Sequence, residues 1–182
     1  GDDANLWMNL SLAMQCIGQR DLGLAIQAQA LAMRRIYHLP AAIQQAKLRV
    51  LMLMVPGDLA ANTPLECLLE DSDIDLVYYY VTSGNPLALP IPEHDVLLVA
   101  MGDSDENRPL LAALENELAN WPKPVVNAPQ FIPATDRSVA SVLLKDAPGV
   151  LIPPTLYVSR TVLEEIARSE VRLADLVEGC DF

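Results

Sequence analysis

Two rhythms of hydrophobic and polar positions divide the chain. Over 3–37, Leu6, Leu10, Ala13, Met14 and Ile17, then Leu22, Ala25, Ile26, Ala30 and Met33, recur every three or four residues, broken by Gly18-Gln19-Arg20-Asp21. That period belongs to helices and predicts an antiparallel helical hairpin. After His38-Leu39-Pro40, where His38 closes the second helix, and a linker at 41–46, the apolar positions cluster in short runs. These predict strands at 48–55, 75–81, 96–101 and Val125-Val126, with a last one at 155–158. Thr63-Pro64 is an N-cap and N1 pair for a short helix through Leu69. A helix beginning near Asn107, with Pro109 in its first turn, buries Leu110, Leu111, Leu114 and Leu118 and stops before Trp121-Pro122. Thr135 is placed to cap a further helix carrying Val139, Val142, Leu143 and Leu144, ended by Pro148-Gly149, and Ser159 caps one running through Leu163 and Ile166.

Continuous apolar strands joined by helical crossovers imply an α/β fold: a small Rossmann-like parallel sheet of four or five strands, preceded by an α-helical hairpin. The expected divisions are 1–40 for the hairpin, 47–158 for the sheet domain and 159–182 for the start of a linker. Ligands of such a sheet are expected at the carboxyl ends of its strands.

Composition narrows the function classes. The 182 residues are 52% hydrophobic with no low-complexity run, as expected of a folded chain able to bury a core. No apolar stretch approaches the roughly 18 residues that a membrane-spanning helix needs, and no basic-then-apolar leader opens the chain, so a cytoplasmic protein without a membrane partner is expected. Twenty-four acidic against 12 basic residues give a net charge of −12, which repels nucleic acid and anionic lipid; neither is expected as a partner. Cys16, Cys67 and Cys180 are too scattered for a zinc site and read as reduced thiols, while His38 and His94 are isolated, so no metal is expected in this chain.

Candidate binding residues lie in the loops at the expected carboxyl edge. The first loop, 56–63, lacks the Gly-x-Gly-x-x-Gly fingerprint and the chain has no P-loop, but Gly57, Asp58, Asn62 and Thr63 can face a small polar substrate together with a helix N-terminus. The second, from Ser83-Gly84-Asn85-Pro86 to Pro92, reads equally as a structural strap or a lid. The third, 102–108, offers Gly102 and Asp103; its acidity with Asp105 and Glu106 reads as a helix cap rather than as a magnesium cluster. Asp71, Asp73 and Asp75 alternate and read as a solvated turn. Asn127 ends a strand two residues before Pro129, where it either pins the neighbouring loop or meets substrate.

From Lys123 to Ser159 the order is strand, Asn127-Ala128-Pro129, a helix opened by Asp136-Arg137, then Gly149 followed by Pro153-Pro154-Thr155. This order resembles the ATP-grasp ligases of the RimK-like and glutathione-synthetase-like branch, where the N-terminal pre-ATP-grasp domain meets the nucleotide-binding domains. The family's phosphate-contacting Lys is matched by Arg137, so the resemblance implies a nucleotide contact there; from the residues alone, Asp136 and Arg137 equally form a helix cap and a surface ion pair. The edge-loop and strand-end residues Gly57, Asp58, Asn62, Gly102, Asp103 and Asn127 are the expected substrate contacts, and the resemblance further implies that the parent protein joins a carboxylate to an amine with ATP and magnesium. The catalytic domain that would hold ATP and Mg is expected beyond Phe182, so the fragment is expected to be catalytically silent, to carry no cofactor of its own and to have that domain as its partner. Separately, Trp7, Leu10, Gly18 and Ala30, with Pro40 following, resemble one degenerate tetratricopeptide-type repeat. A lone repeat leaves a face to cover, and the other expectation is a non-catalytic interaction or dimerisation module, including a homodimer through the hairpin.

Overall fold

The structure is a computed structural model and describes residues 3–43, 45–153 and 155–176; Pro154 and Cys180 lie outside them. The chain forms two compact units, Gly1–Ile132 and Pro133–Phe182, and the expected boundary at 40–47 falls inside the first.

The first unit opens with helices α1 (Ala4–Cys16) and α2 (Arg20–Met33). Asp3 caps α1 by accepting from the Asn5 N–H, and a three-residue turn folds α2 back on it. The hairpin stands as expected, but its buried face does not. The buried positions are Ala4, Met8, Ser11 and Gln15 on α1 and Gly23, Ile26, Gln27, Ala30 and Leu31 on α2, while Leu6, Ile17 and Leu22 face solvent. A Cβ on Gly23 would stand 2.5 Å from Gln15 Cγ and 3.0 Å from the Ser11 carbonyl, so the helices approach too closely for any larger residue to fit without displacement. Close approach of small and polar residues, rather than the leucine stripe, sets the rotation of the hairpin.

Strand β1 (Ile36–Leu39) follows, then β2 (Leu48–Met54), β3 (Ile74–Tyr80), β4 (Val96–Val99), helix α3 (Arg108–Leu118) and β5 (Val125–Val126). The sheet order is β1-β3-β2-β4-β5. Strands β3, β2, β4 and β5 run parallel, while β1 is antiparallel to β3, so the wholly parallel sheet of the sequence reading becomes a mixed one. His38, expected at a helix end, pairs in this edge strand with Val77. The architecture is α/β with a mostly parallel sheet, consistent with a Rossmann-like arrangement.

Alternate residues of each strand go to opposite faces. Leu51, Leu53, Val77, Tyr79, Leu97 and Val99 meet Leu111, Leu114 and Leu118 of α3. Val50, Met52, Met54, Leu76, Tyr80 and Leu98 meet Ala4, Met8, Ala30 and Leu31 of the hairpin. The sheet is therefore covered on both sides. Where a crossover helix is missing between β3 and β4, the proline-rich loop serves instead: Leu87 and Leu89 pack on the α3-side core, and the Tyr79 hydroxyl donates to Leu89 O and accepts from Leu89 N–H. This segment is a strap.

Three local expectations are corrected. The helix after Thr63-Pro64 is only a 3-10 turn, Leu65–Cys67, and Thr63 makes no side-chain cap; its N–H instead donates to Ala100 O at 2.7 Å. Thr135 ends a 3-10 segment, Pro129–Thr135, and the cap of the following helix α4 (Arg137–Leu144) is Asp136, whose carboxylate accepts from the Ser138 and Val139 N–H groups. The residues around 155–158 form no strand; they lead to helix α5 (Arg160–Ala167), capped by Ser159 as expected. Neither α4 nor α5 contains a buried residue, and Val142, Leu143, Leu151 and Tyr157 stand exposed in this second unit.

Candidate functional site

From β2 the chain moves to β3 on one side, then crosses to β4 on the other, so the loops leaving β2 and β4 diverge at their carboxyl ends. This divergence is where open α/β sheets leave a crevice. A cleft of about 260 Å³ lies there, lined by Gly57, Asp58 and Ala61 from the first loop, Gly102 and Asp103 from the second, and Arg20 from the start of α2. Four of the expected substrate residues, Gly57, Asp58, Gly102 and Asp103, thus come together.

Asp58 and Asp103 are each held by an arginine, and Glu106 also lines the cleft. Arg20 donates from Nε and Nη2 to Asp58 Oδ2 at 3.1 and 2.9 Å, and the Ala60 N–H donates to Oδ1. These hydrogen bonds, the arginine's first, hold the Asp58 carboxyl below the usual carboxylate range. Arg108 grips Asp103 with two parallel hydrogen bonds, at 3.1 and 3.0 Å, and also reaches Asp105. Asp105 is therefore a partner of Arg108, and the acidic loop is organised by that arginine and by Asn107, whose amide donates to Gly102 O. Among the described residues no cluster of three or more His, Cys, Asp or Glu could hold a metal ion. The cleft offers paired charges and backbone groups.

The first loop is built rigidly. Gln27 accepts from Gly57 N–H at 2.8 Å and donates to Gly57 O at 2.9 Å, tying the hairpin to the sheet edge. A Cβ on Gly57 would stand 2.5 Å from that of Ala61, so the loop needs glycine for its own closure. Asn62 does not line the cleft: its amide accepts from Val55 N–H and donates to Val55 O, both at 2.8 Å, closing the loop on itself. Asn127 stands after β5 with φ 51, a left-handed turn that Asn tolerates, and it too lies outside the lining of the cleft. Arg137 is exposed at the first turn of α4, in the second unit, and makes no ion pair among the described residues.

Sequence reasoning missed Arg20, Gln27 and Asp75. Asp75, expected in a solvated turn, is buried: it accepts from Ala41 N–H and from Arg49, and lies 3.4 Å from His38 Nε2. Its carboxyl is held below the usual range, by the Ala41 N–H first and then by Arg49 and His38, against the opposing effect of burial. Register explains the pair, since Arg49 and Asp75 are partners across β2 and β3. Both line a larger cleft, of about 740 Å³, at the opposite, amino edge of the sheet. There Asp95 takes the Arg49 N–H, His94 stacks on Trp121 and accepts its indole N–H at 3.1 Å, and Glu93 and Lys123 complete the polar lining. That cleft is wider, and Arg49, Asp75, Asp95, His94 and Trp121 in it are engaged with one another.

No protein-family model matches the chain, and neither the curated proteins nor the solved structures contain a significant match to it. Among the described residues no helix is long and apolar enough to cross a membrane, and Cys16 and Cys67 are free thiols.

Proposed function

We propose that this chain is the N-terminal, substrate-side part of an ATP-grasp-like carboxylate–amine ligase of the cytoplasm, with the crevice between the loops after β2 and β4 as its substrate site. The observation that carries the reading is the meeting of Gly57, Asp58, Gly102 and Asp103 at the switch point of the sheet. The paired carboxylates and arginines suit a small zwitterion or carboxylate, and the motif from Asn127 to Thr155 supplies the family. ATP and magnesium belong, on this reading, to a separate catalytic domain, towards which Arg137 would face. The exposed apolar side chains of the second unit, Val142, Leu143, Leu151 and Tyr157, support a role in meeting that domain.

The test is amide chemical-shift mapping with a panel of small amino acids and carboxylates. Shifts gathered at Gly57–Asp58 and Gly102–Ser104, reduced in Asp58→Asn, are the expected result. A panel that leaves those amides unmoved overturns the site, and tight binding of ATP–magnesium by this chain alone, read by calorimetry, overturns the division of labour.

The second reading, an interaction module, rests on the hairpin. Leu6 is 61% exposed, Ile17 68% and Leu22 50%, an apolar outer surface that a second copy would cover. A concentration-dependent dimer in sedimentation, abolished in Leu6→Glu or Ile17→Glu, would favour it.

A further inference from the structure

On the hairpin side of the 57–58 loop lies a second pocket of about 60 Å³, whose lining includes Gln15, Gln27, Asn62, Glu66 and Tyr80 as well as Gly57 and Asp58 of that loop. The amides of Gln27 and Asn62 are spent on Gly57 and Val55. Gln15, 8% exposed, donates from Nε2 to Ser11 Oγ and leaves Oε1 buried without a partner. Glu66 Oε2 is likewise buried and unpartnered, and no basic side chain among the described residues pairs with this carboxylate. Burial first, then Tyr37 and lastly Glu66 push the Tyr80 hydroxyl up to about 12, and burial followed by Glu66, its hydrogen-bond partner, raises Tyr78.

Two acceptor oxygens, one of them belonging to a carboxylate without a basic partner, ask for a group that only donates and is positive. Water satisfies the oxygens but leaves the charge unanswered. An ammonium group carries donors without acceptors, bears the compensating charge, and is close to water in size, where roughly 10–15 Å³ suffices for one water. We propose that this pocket binds an ammonium group, either the free ion or the head of a small primary amine. The pocket shares Gly57 and Asp58 with the cleft of the ligase reading, but the proposal rests on Gln15 and Glu66, which do not line that cleft.

The experiment follows the Gln15 side-chain amide resonance of the ¹⁵N-labelled chain, assigned by its loss in Gln15→Met, at constant ionic strength. Ammonium chloride is expected to shift it saturably in the millimolar range, with tetramethylammonium and potassium without effect. A matching response to methylammonium assigns the amine head, and its absence the free ion. Glu66→Gln is expected to weaken binding at least ten-fold. No saturable shift, an equal response to potassium or tetramethylammonium, or unaltered affinity in a folded Glu66→Gln overturns the proposal. Should that variant fail to fold, the cation series on the unaltered chain decides the matter alone.

Discussion

The two faces of one sheet are built on different principles. Towards α3 the core is mostly apolar, Leu111, Leu114 and Leu118 against alternate strand residues, with polar details at its rim where the Tyr79 hydroxyl pins the strap and the Trp121 indole meets His94. Towards the hairpin the apolar core is interrupted by Ser11, Gln15, Gln27 and by Tyr78 and Tyr80 of β3. An apolar face gives stability without direction, while a polar one fixes orientation only where every group is answered. The hairpin face is therefore the one that aims loops: Arg20 and Gln27 reach Asp58 and Gly57, and no residue of α3's apolar stripe does anything comparable.

The contrast can be broken from either side. Leu114→Ala, at a fully buried position of α3, is expected to cost about 3 kcal/mol, read from the urea midpoint, with the cleft residues unmoved in chemical shift. Asn62→Ala orphans the Val55 N–H and C=O and is expected to cost about 2 kcal/mol while freeing the first loop, so that its amides exchange faster. A larger loss in Asn62→Ala than in Leu114→Ala would reverse the comparison.

Acid sharpens it. Asp75 titrates below its ordinary value in the folded chain, so its stabilisation is present above the unfolded carboxyl pKa, about 4, and is lost as pH falls through the lower folded value. Asp75→Asn is expected to lower stability at neutral pH and to flatten the acid limb of the urea midpoint plotted against pH; an unchanged acid limb would show that Asp75 is no anchor. The smallest effect is expected from Arg20→Ala, which removes an exposed pair: stability close to the parent chain, with altered shifts at Gly57, Asp58 and Ala60.

The periodic segments were legible in the sequence because helix and strand periods differ and because 48–54, 74–80 and 96–99 are apolar runs broken only by Arg49 and Asp75. Side-chain partnerships were not. Arg20 meets Asp58 across 38 residues, and Arg49 meets Asp75 only once the register of two strands is set. The hairpin misled for a clear reason: hydrophobicity marked Leu6 and Leu10 as core, yet close approach at Gly23 turned Ser11 and Gln15 inward instead. Of the candidate site, the glycine–aspartate loops were visible as loop chemistry, whereas Asn62 proved to be a clasp that only the folded loop reveals.

Strand β1 has a consequence for handling the protein. Its four residues cover the outer side of β3, whose Ile-Asp-Leu-Val-Tyr-Tyr-Tyr sequence is rich in strand-forming aromatic and branched residues. A chain cut near residue 47 would keep four parallel strands and strip that cover, leaving a long adhesive edge open to pairing with other molecules. The short antiparallel strand is thus a guard against aggregation, and preparations of the sheet without the hairpin should precipitate where the intact chain stays dispersed.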